Sequence, residues 1–177
     1  MRLIAILLAS ALPFTAFAAG SDDTQPPTPT ETSTKCKNAQ VWDEKTKTCV
    51  NAEESSLDDD ALFRAVRELA WAGQPEQALI VLSAMHEGET DRVLTYMGFA
   101  NRKAGRMDLG LEYYAHALDV NPDNILTRSY LGQAYVELGE IALARVQLDE
   151  IRQRGGIGTW AEASLAQAVG TGQTVNY

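Results

Sequence analysis

Residues 91–124 and 125–158 of this chain are two copies of one pattern, each 34 residues long and in register without a gap. "DRVLTYMGFANRKAGRMDLGLEYYAHALDVNPDN" sets Met97-Gly98 over Leu131-Gly132 of "ILTRSYLGQAYVELGEIALARVQLDEIRQRGGIG". Ala100 then falls over Ala134, Gly105 over Gly139, Gly110 over Ala144, Tyr114 over Leu148 and Ala117 over Ile151. A more divergent copy starts near Asp59, with Ala65, Leu69, Gly73, Ala78, Leu82 and Met85 in the same places, and it runs two residues shorter. A period of this length is one supersecondary unit whose apolar face is buried only by its neighbours. The region 59–158 must therefore fold as a stack of units.

Inside each copy the spacing is helical. Val93, Leu94, Met97 and Ala100 form one apolar stripe that Gly105 ends. Met107, Leu111, Tyr114, Ala115 and Leu118 form a second, stopped by "NPDN". Gly98 and Gly110 each cost about 1 kcal/mol in a helix interior relative to alanine, which predicts a crossing too close for side chains. After the third copy, "TWAEASLAQAV" opens with Thr159 and Glu162 at the spacing of a capping box. Leu165 and Ala166 occupy the places of Leu131 and Gly132, so 159–177 reads as the first helix of an unfinished repeat, covering the last open face, followed by a polar tail.

The middle copy resembles the tetratricopeptide repeat family. That pattern wants a small residue in the eighth place, another in the twentieth, an aromatic four later, alanine three after that, and proline near the end; Gly98, Gly110, Tyr114, Ala117 and Pro122 supply all five. The third copy departs at Leu148 and Gly156, which predicts a looser turn after its second helix, and the first has Val66 where a small residue is expected. The resemblance implies an all-α, TPR-like helical solenoid of about three helix-turn-helix repeats plus a C-terminal capping helix. It also implies that inner helices line a concave groove that binds a partner protein or peptide. On that reading the exposed inner faces carry Phe63, Arg64, Arg67 and Trp71 from the first copy. The second adds Arg92, Thr95, Tyr96, Phe99, Arg102 and Lys103, and the third Ser129, Tyr130, Gln133 and Glu137. Arginines would then anchor carboxylates and aromatics would serve as apolar platforms. The family's chaperone-binding branch clamps a terminal carboxylate with Lys, Asn and Arg. Phe63, Arg67, Tyr96, Leu126 and Tyr130 stand in those places here, so that clamp is not carried over.

The region before Asp59 has no such period. "MRLIAILLASALPFTAFAAG" joins one positive charge, a short apolar run and small residues, which predicts a signal peptide over 1–19 cut after Ala18 or Ala19. The chain is expected to be periplasmic, with secretion as the alternative, and to carry no membrane span after cleavage. Residues 20–35, rich in Thr, Pro and acid, read as a disordered linker, and 51–58 as an acidic one. Between them the chain's only two cysteines, Cys36 and Cys49, are expected to form a disulfide that clips a self-contained hairpin loop over 36–50. Closing such a loop stabilises it by about 3 kcal/mol on the chain-entropy argument. Every periodic apolar stripe lies beyond it, so 58–177 is expected to fold alone.

Charge narrows the function. The formal net charge of −9 becomes −10 once Arg2 is removed, which disfavours nucleic acid as a partner. His116, between Tyr114 and the end of its helix, has no Ser, Cys or paired carboxylate at a spacing that would make it a base. Two cysteines alone cannot close a structural zinc site, and His86 and His116 lie far from them. No metal or cofactor is expected, and no enzymatic activity. The reading is a non-enzymatic envelope adaptor that binds another protein in its groove, with a homo-oligomer also compatible. The alternative is an envelope carbohydrate-binding protein that uses Trp42 of the Cys36–Cys49 module.

Overall fold

The structure, a computed structural model, describes residues 25–174. The expected signal peptide over 1–19, residues 20–24 of the expected linker and residues 175–177 lie outside the described residues. In chain order the elements are α1 (Glu31–Thr34), β1 (Gln40–Asp43), β2 (Thr48–Asn51), α2 (Asp59–Trp71), α3 (Pro75–Ser83), α4 (Asp91–Lys103), α5 (Met107–Val120), α6 (Ile125–Glu137), α7 (Ile141–Gln153) and α8 (Trp160–Thr171). None of the described helices is long and apolar enough to cross a membrane.

The repeat is written in the helix ends. Gly73, Gly105 and Gly139 take left-handed φ values of 72°, 83° and 78°. The next residue donates back across each turn: Gln74 N to Leu69 O at 2.9 Å, Arg106 N to Asn101 O at 2.9 Å and Glu140 N to Tyr135 O at 2.8 Å. The inner helices α2, α4, α6 and α8 are each capped by a side chain, from Asp58, Thr90, Asn124 and Thr159. The outer helices α3, α5 and α7 have no such cap and follow directly from the glycine turn. Gly155 (φ 82°) repeats the stop after α7, and Gly156 N donates to Ile151 O at 2.9 Å. The turn expected to be loose is thus as tight as the others. A Cβ on Gly156 would lie 2.5 Å from Ile151 Cγ2.

The close crossing is present. A Cβ on Gly98 would meet the Tyr114 ring at 2.6 Å and the Gly110 carbonyl at 3.0 Å. Helices α4 and α5 therefore touch through backbone, and the fully buried Tyr114 ring fills the space beside Gly98. Gly132 makes the same room for Leu165 of α8, whose Cδ2 would lie 2.5 Å from an added Cβ. Val66, in the place expected to be small, is 0% exposed and sits in the core without disrupting the α2–α3 pair.

The N-terminal region differs from expectation. Cys36 and Cys49 are bonded, and β1 pairs antiparallel with β2, Trp42 opposite Cys49. This hairpin is not self-contained. Ala39, Val41 and Ala52 belong to the same buried cluster as Leu62, Val66 and Leu82 of the first repeat. The stretch expected to be a disordered linker is ordered from Gln25, and its turn α1 is fastened to α2. Glu68 accepts from Thr30 N at 2.7 Å, Thr30 Oγ1 at 2.6 Å and Ser33 N at 2.9 Å. Gln77 Oε1 accepts from Ala39 N at 2.9 Å, and Gln74 donates to Ser33 O at 3.3 Å. The acidic linker is likewise packed: Ala52 is buried, Leu57 lies against the core and Asp58 caps α2. The physical reason is the open face of the first repeat. With no preceding unit, Leu62 and Val66 need a cover, and the hairpin supplies it.

Candidate functional site

The four inner helices bring together an aromatic series that runs from the first repeat to the C-terminal cap. Phe63 meets Tyr96 edge-on with centroids 5.3 Å apart, and Tyr96 lies 5.8 Å from Phe99. Phe99 is 4.6 Å from Tyr130, and Tyr130 6.5 Å from Trp160. Trp71 reaches over this row to Trp160 at 5.1 Å and donates its Nε1–H to Tyr130 Oη at 3.2 Å. A chain of polar contacts follows the same path: Arg67 Nε donates to Tyr96 Oη at 3.3 Å, and Tyr96 Oη lies 3.4 Å from Tyr130 Oη.

This arrangement corrects the expected exposure of the inner faces. Tyr96, Phe99, Tyr130 and Gln133 are 1%, 0%, 1% and 0% exposed. Gln133 is interior: its amide donates to Ser129 Oγ at 3.3 Å and Ser164 Oγ at 3.2 Å, tying α6 to α8. Arg67 is buried, donating also to the Gln25 carbonyl at 2.6 Å. The Arg102 side chain is 0% exposed and pairs with Glu137 at 3.2 Å. Arg92 is occupied at the start of α4, donating to Glu87 at 2.6 and 2.7 Å and to Asp60 at 2.7 Å while its guanidinium lies 4.8 Å from the Phe63 ring. The hydrogen bonds to Glu87, and behind them Asp60, push its pKa up. Inner-helix positions that a repeat count places on a concave surface are here consumed by packing between neighbouring repeats, because aromatic rings at these positions reach across the 34-residue step.

Arg64 is exposed and sits elsewhere. It lines a cleft of about 260 Å³ between the hairpin and α2, with Trp42, Lys45, Leu57, Asp58 and Glu68 on the other walls. Trp42 is half-buried, with Lys35 Nζ 5.3 Å above its ring. The Asp43 carboxyl is held low, first by Lys45 N–H and then by the Thr46 hydroxyl.

On the inner face the partly open members are Trp71, Trp160 and Lys103. Arg102 and Lys103 both lie over the Phe99 ring, at 5.5 and 5.8 Å from its centroid. Burial, and after it the neighbouring Arg102 charge, lowers the Lys103 pKa from its ordinary value. The two cations thus share one ring and the Glu137 carboxylate, which pairs with the buried Arg102 and also counters the lowering at Lys103, while Lys103 keeps the more open position. His116 is exposed on α5, and His86 is held by its backbone N–H, which donates to Asp59 at 3.0 Å.

Sequence reasoning missed Trp160 as a member of the aromatic row. Adding one period to Leu126 would have placed it there. It also missed Glu68, whose signal is a carboxylate flanked by buried positions in "AVRELA".

Comparison with known proteins gives a distant, partial likeness. The chain is 28% identical over 102 residues to the cellulose synthase operon protein C of Pseudomonas fluorescens (strain SBW25), covering 52% of this chain and 8% of that protein. No protein-family profile matches the chain, and no solved structure matches it.

Proposed function

We propose that this protein is a non-enzymatic scaffold of the cell envelope that holds a partner protein or peptide along its inner helices. The observation that carries the reading is the corner of Arg102 and Lys103 over Phe99, beside Trp71 and Trp160. The buried Arg67, Tyr96, Tyr130 and Gln133 shape and stiffen this surface, and the open rim makes the contact. A disulfide suits an oxidising compartment, and a relative named for a cellulose synthase operon supports the envelope setting. The favoured partner presents carboxylates among apolar side chains. Recognition of sugar by the hairpin is the weaker reading. The carboxylates of Asp43, Asp58 and Glu68 around Trp42 already accept from Lys45 N, Ala61 N and the α1 turn. These carboxylates are thereby oriented by the fold, as turn, cap and fastening groups.

The test is cross-linked capture from envelope extract followed by affinity measurement on the captured partner. Lys103→Glu should weaken binding at least about tenfold by turning attraction into repulsion. Arg64→Glu, on the hairpin side, should leave affinity within about twofold. Unchanged affinity for Lys103→Glu would refute the inner-face site.

A further inference from the structure

The described residues open on the inner face. The Gln25 carbonyl accepts from Arg67 Nη2 at 2.6 Å, and five residues later Thr30 is pinned to Glu68 through its amide at 2.7 Å and its hydroxyl at 2.6 Å. Arg67 and Glu68 are consecutive on α2, so their side chains leave the helix about 100° apart. Glu68 points to α1 and the hairpin, and Arg67 points to Tyr96 of the next inner helix. The segment between, "QPPTPT", thus wraps over α2 from the cap to the interaction surface. Pro26, Pro27 and Pro29 fix φ and stiffen it. Only Pro27 is half-buried and its neighbours are exposed, so the segment buries little of its surface between its contacts at Gln25 and Thr30.

We propose that Gln25–Thr30 is a strap that occupies the α2 end of the inner face in cis, and that a partner reaches Arg67 by displacing it. The argument rests on exchangeability. The strap gives the buried arginine a backbone carbonyl beside its bond to Tyr96 Oη, and another extended chain can offer such a carbonyl because it makes no internal hydrogen bonds. What keeps the strap in place is the stiff, five-residue tether to Thr30, which holds Gln25 at high effective concentration. The partner with matching chemistry is an extended, proline-containing peptide that presents a carbonyl to Arg67. The partner half of this inference rests on the scaffold reading; the strap itself does not.

The test uses the full chain. Backbone ¹⁵N relaxation should show Gln25 and Thr28 as rigid as the helices in the wild type. Arg67→Gln should release both while Thr30 stays rigid on Glu68. Because Arg67 is buried, a second variant changes Pro26, Pro27 and Pro29 to Gly on the exposed strap, where it cannot unfold the body. A labelled peptide of sequence TQPPTPT is the probe in trans. The glycine variant should bind it at least about tenfold more tightly than the wild type, since each proline removed makes the tether less favourable. Arg67→Gln in the glycine background should abolish that gain. Mobile Gln25 and Thr28 in the wild type, or equal peptide affinity with and without the prolines, would overturn the strap. A strap that behaves as expected while Lys103→Glu leaves partner affinity unchanged would instead overturn the scaffold reading and leave the strap standing.

Discussion

The two ends of the helical stack are closed by different chemistry. At the C-terminal end, α8 continues the period: Leu165 falls where Leu131 does one repeat earlier, and Ala161, Leu165 and Ala168 are all 0% exposed. The joint is shape-matched, with Leu165 set into the space above Gly132, and buried hydrogen bonds from Ser129 to the Ala161 carbonyl and from Gln133 to Ser164 run within it. At the N-terminal end nothing repeats. The hairpin lends three small apolar residues, Ala39, Val41 and Ala52, and its attachment runs through Glu68, Gln74 and Gln77. A stack can be closed by one more copy of its own helix. A segment outside the period needs specific polar fastenings, and one too small to hold its own shape needs a covalent clip.

The most severe way to break this comparison is to remove 159–177. That uncovers Leu148, Ile151 and Val136 and leaves Gln133 and Ser129 facing water without Ser164 and the Ala161 carbonyl. Losing one buried leucine to alanine already costs about 2–5 kcal/mol, so the truncation should lower stability by more than about 4 kcal/mol in a urea melt. A truncated chain that melts like its parent would show that α8 is not a cap.

The hairpin end should yield less and yield locally. Glu68→Gln keeps one acceptor but turns an amide N–H toward donors on Thr30 or Ser33, for a loss of about 1–3 kcal/mol. Hydrogen exchange should quicken in α1, the hairpin and α2 while α6–α8 keep their protection, as expected where each unit touches only its neighbours. Equal loss at both ends would mean that the stack melts as one body and that the distinction between its caps has no energetic content.

The same contrast explains what was legible in the sequence. The repeats, the glycine stops, the Gly98–Gly110 approach and the α8 cap all follow from one period and from backbone demands that only glycine meets. The disulfide followed from cysteine count. The docking of 25–57 did not, because it depends on Glu68, Gln74 and Gln77 meeting backbone groups about forty residues away, and no spacing encodes that. The inner face was half legible. Counting placed Tyr96, Phe99 and Tyr130 on the correct helices, but counting cannot tell a ring that faces solvent from one that reaches into the next repeat. Burial of Arg67 and Arg102 follows from that same reach, since their partners Tyr96 and Glu137 lie one repeat further on.

Acid should separate the two ends more gently than either substitution. At the hairpin end the Asp43 carboxyl is held low by Lys45 N–H and then the Thr46 hydroxyl, and Asp59 first by His86 N–H. Glu31, on α1, is lowered by its own backbone hydrogen bond and then by Lys35. At the other end Glu162 is lowered first by Arg152 and then by Gly158 N–H. Each of these carboxyls has a folded pKa below its ordinary value of 3.8 or 4.5. Each contribution is therefore present in full above the ordinary value and is lost as pH falls through the lowered one. Glu76 of α3 is lowered too, first by Arg106, so four such groups hold the hairpin and the first repeat against one at α8, and Arg152 keeps its charge throughout. Backbone amide spectra recorded as pH is lowered from 5 should thus show the hairpin and the start of α2 losing protection before α7 and α8. Reversal of that order, or loss of both ends at one pH, would remove the electrostatic part of the difference and leave the shape-matched joint at α8 as the whole of it.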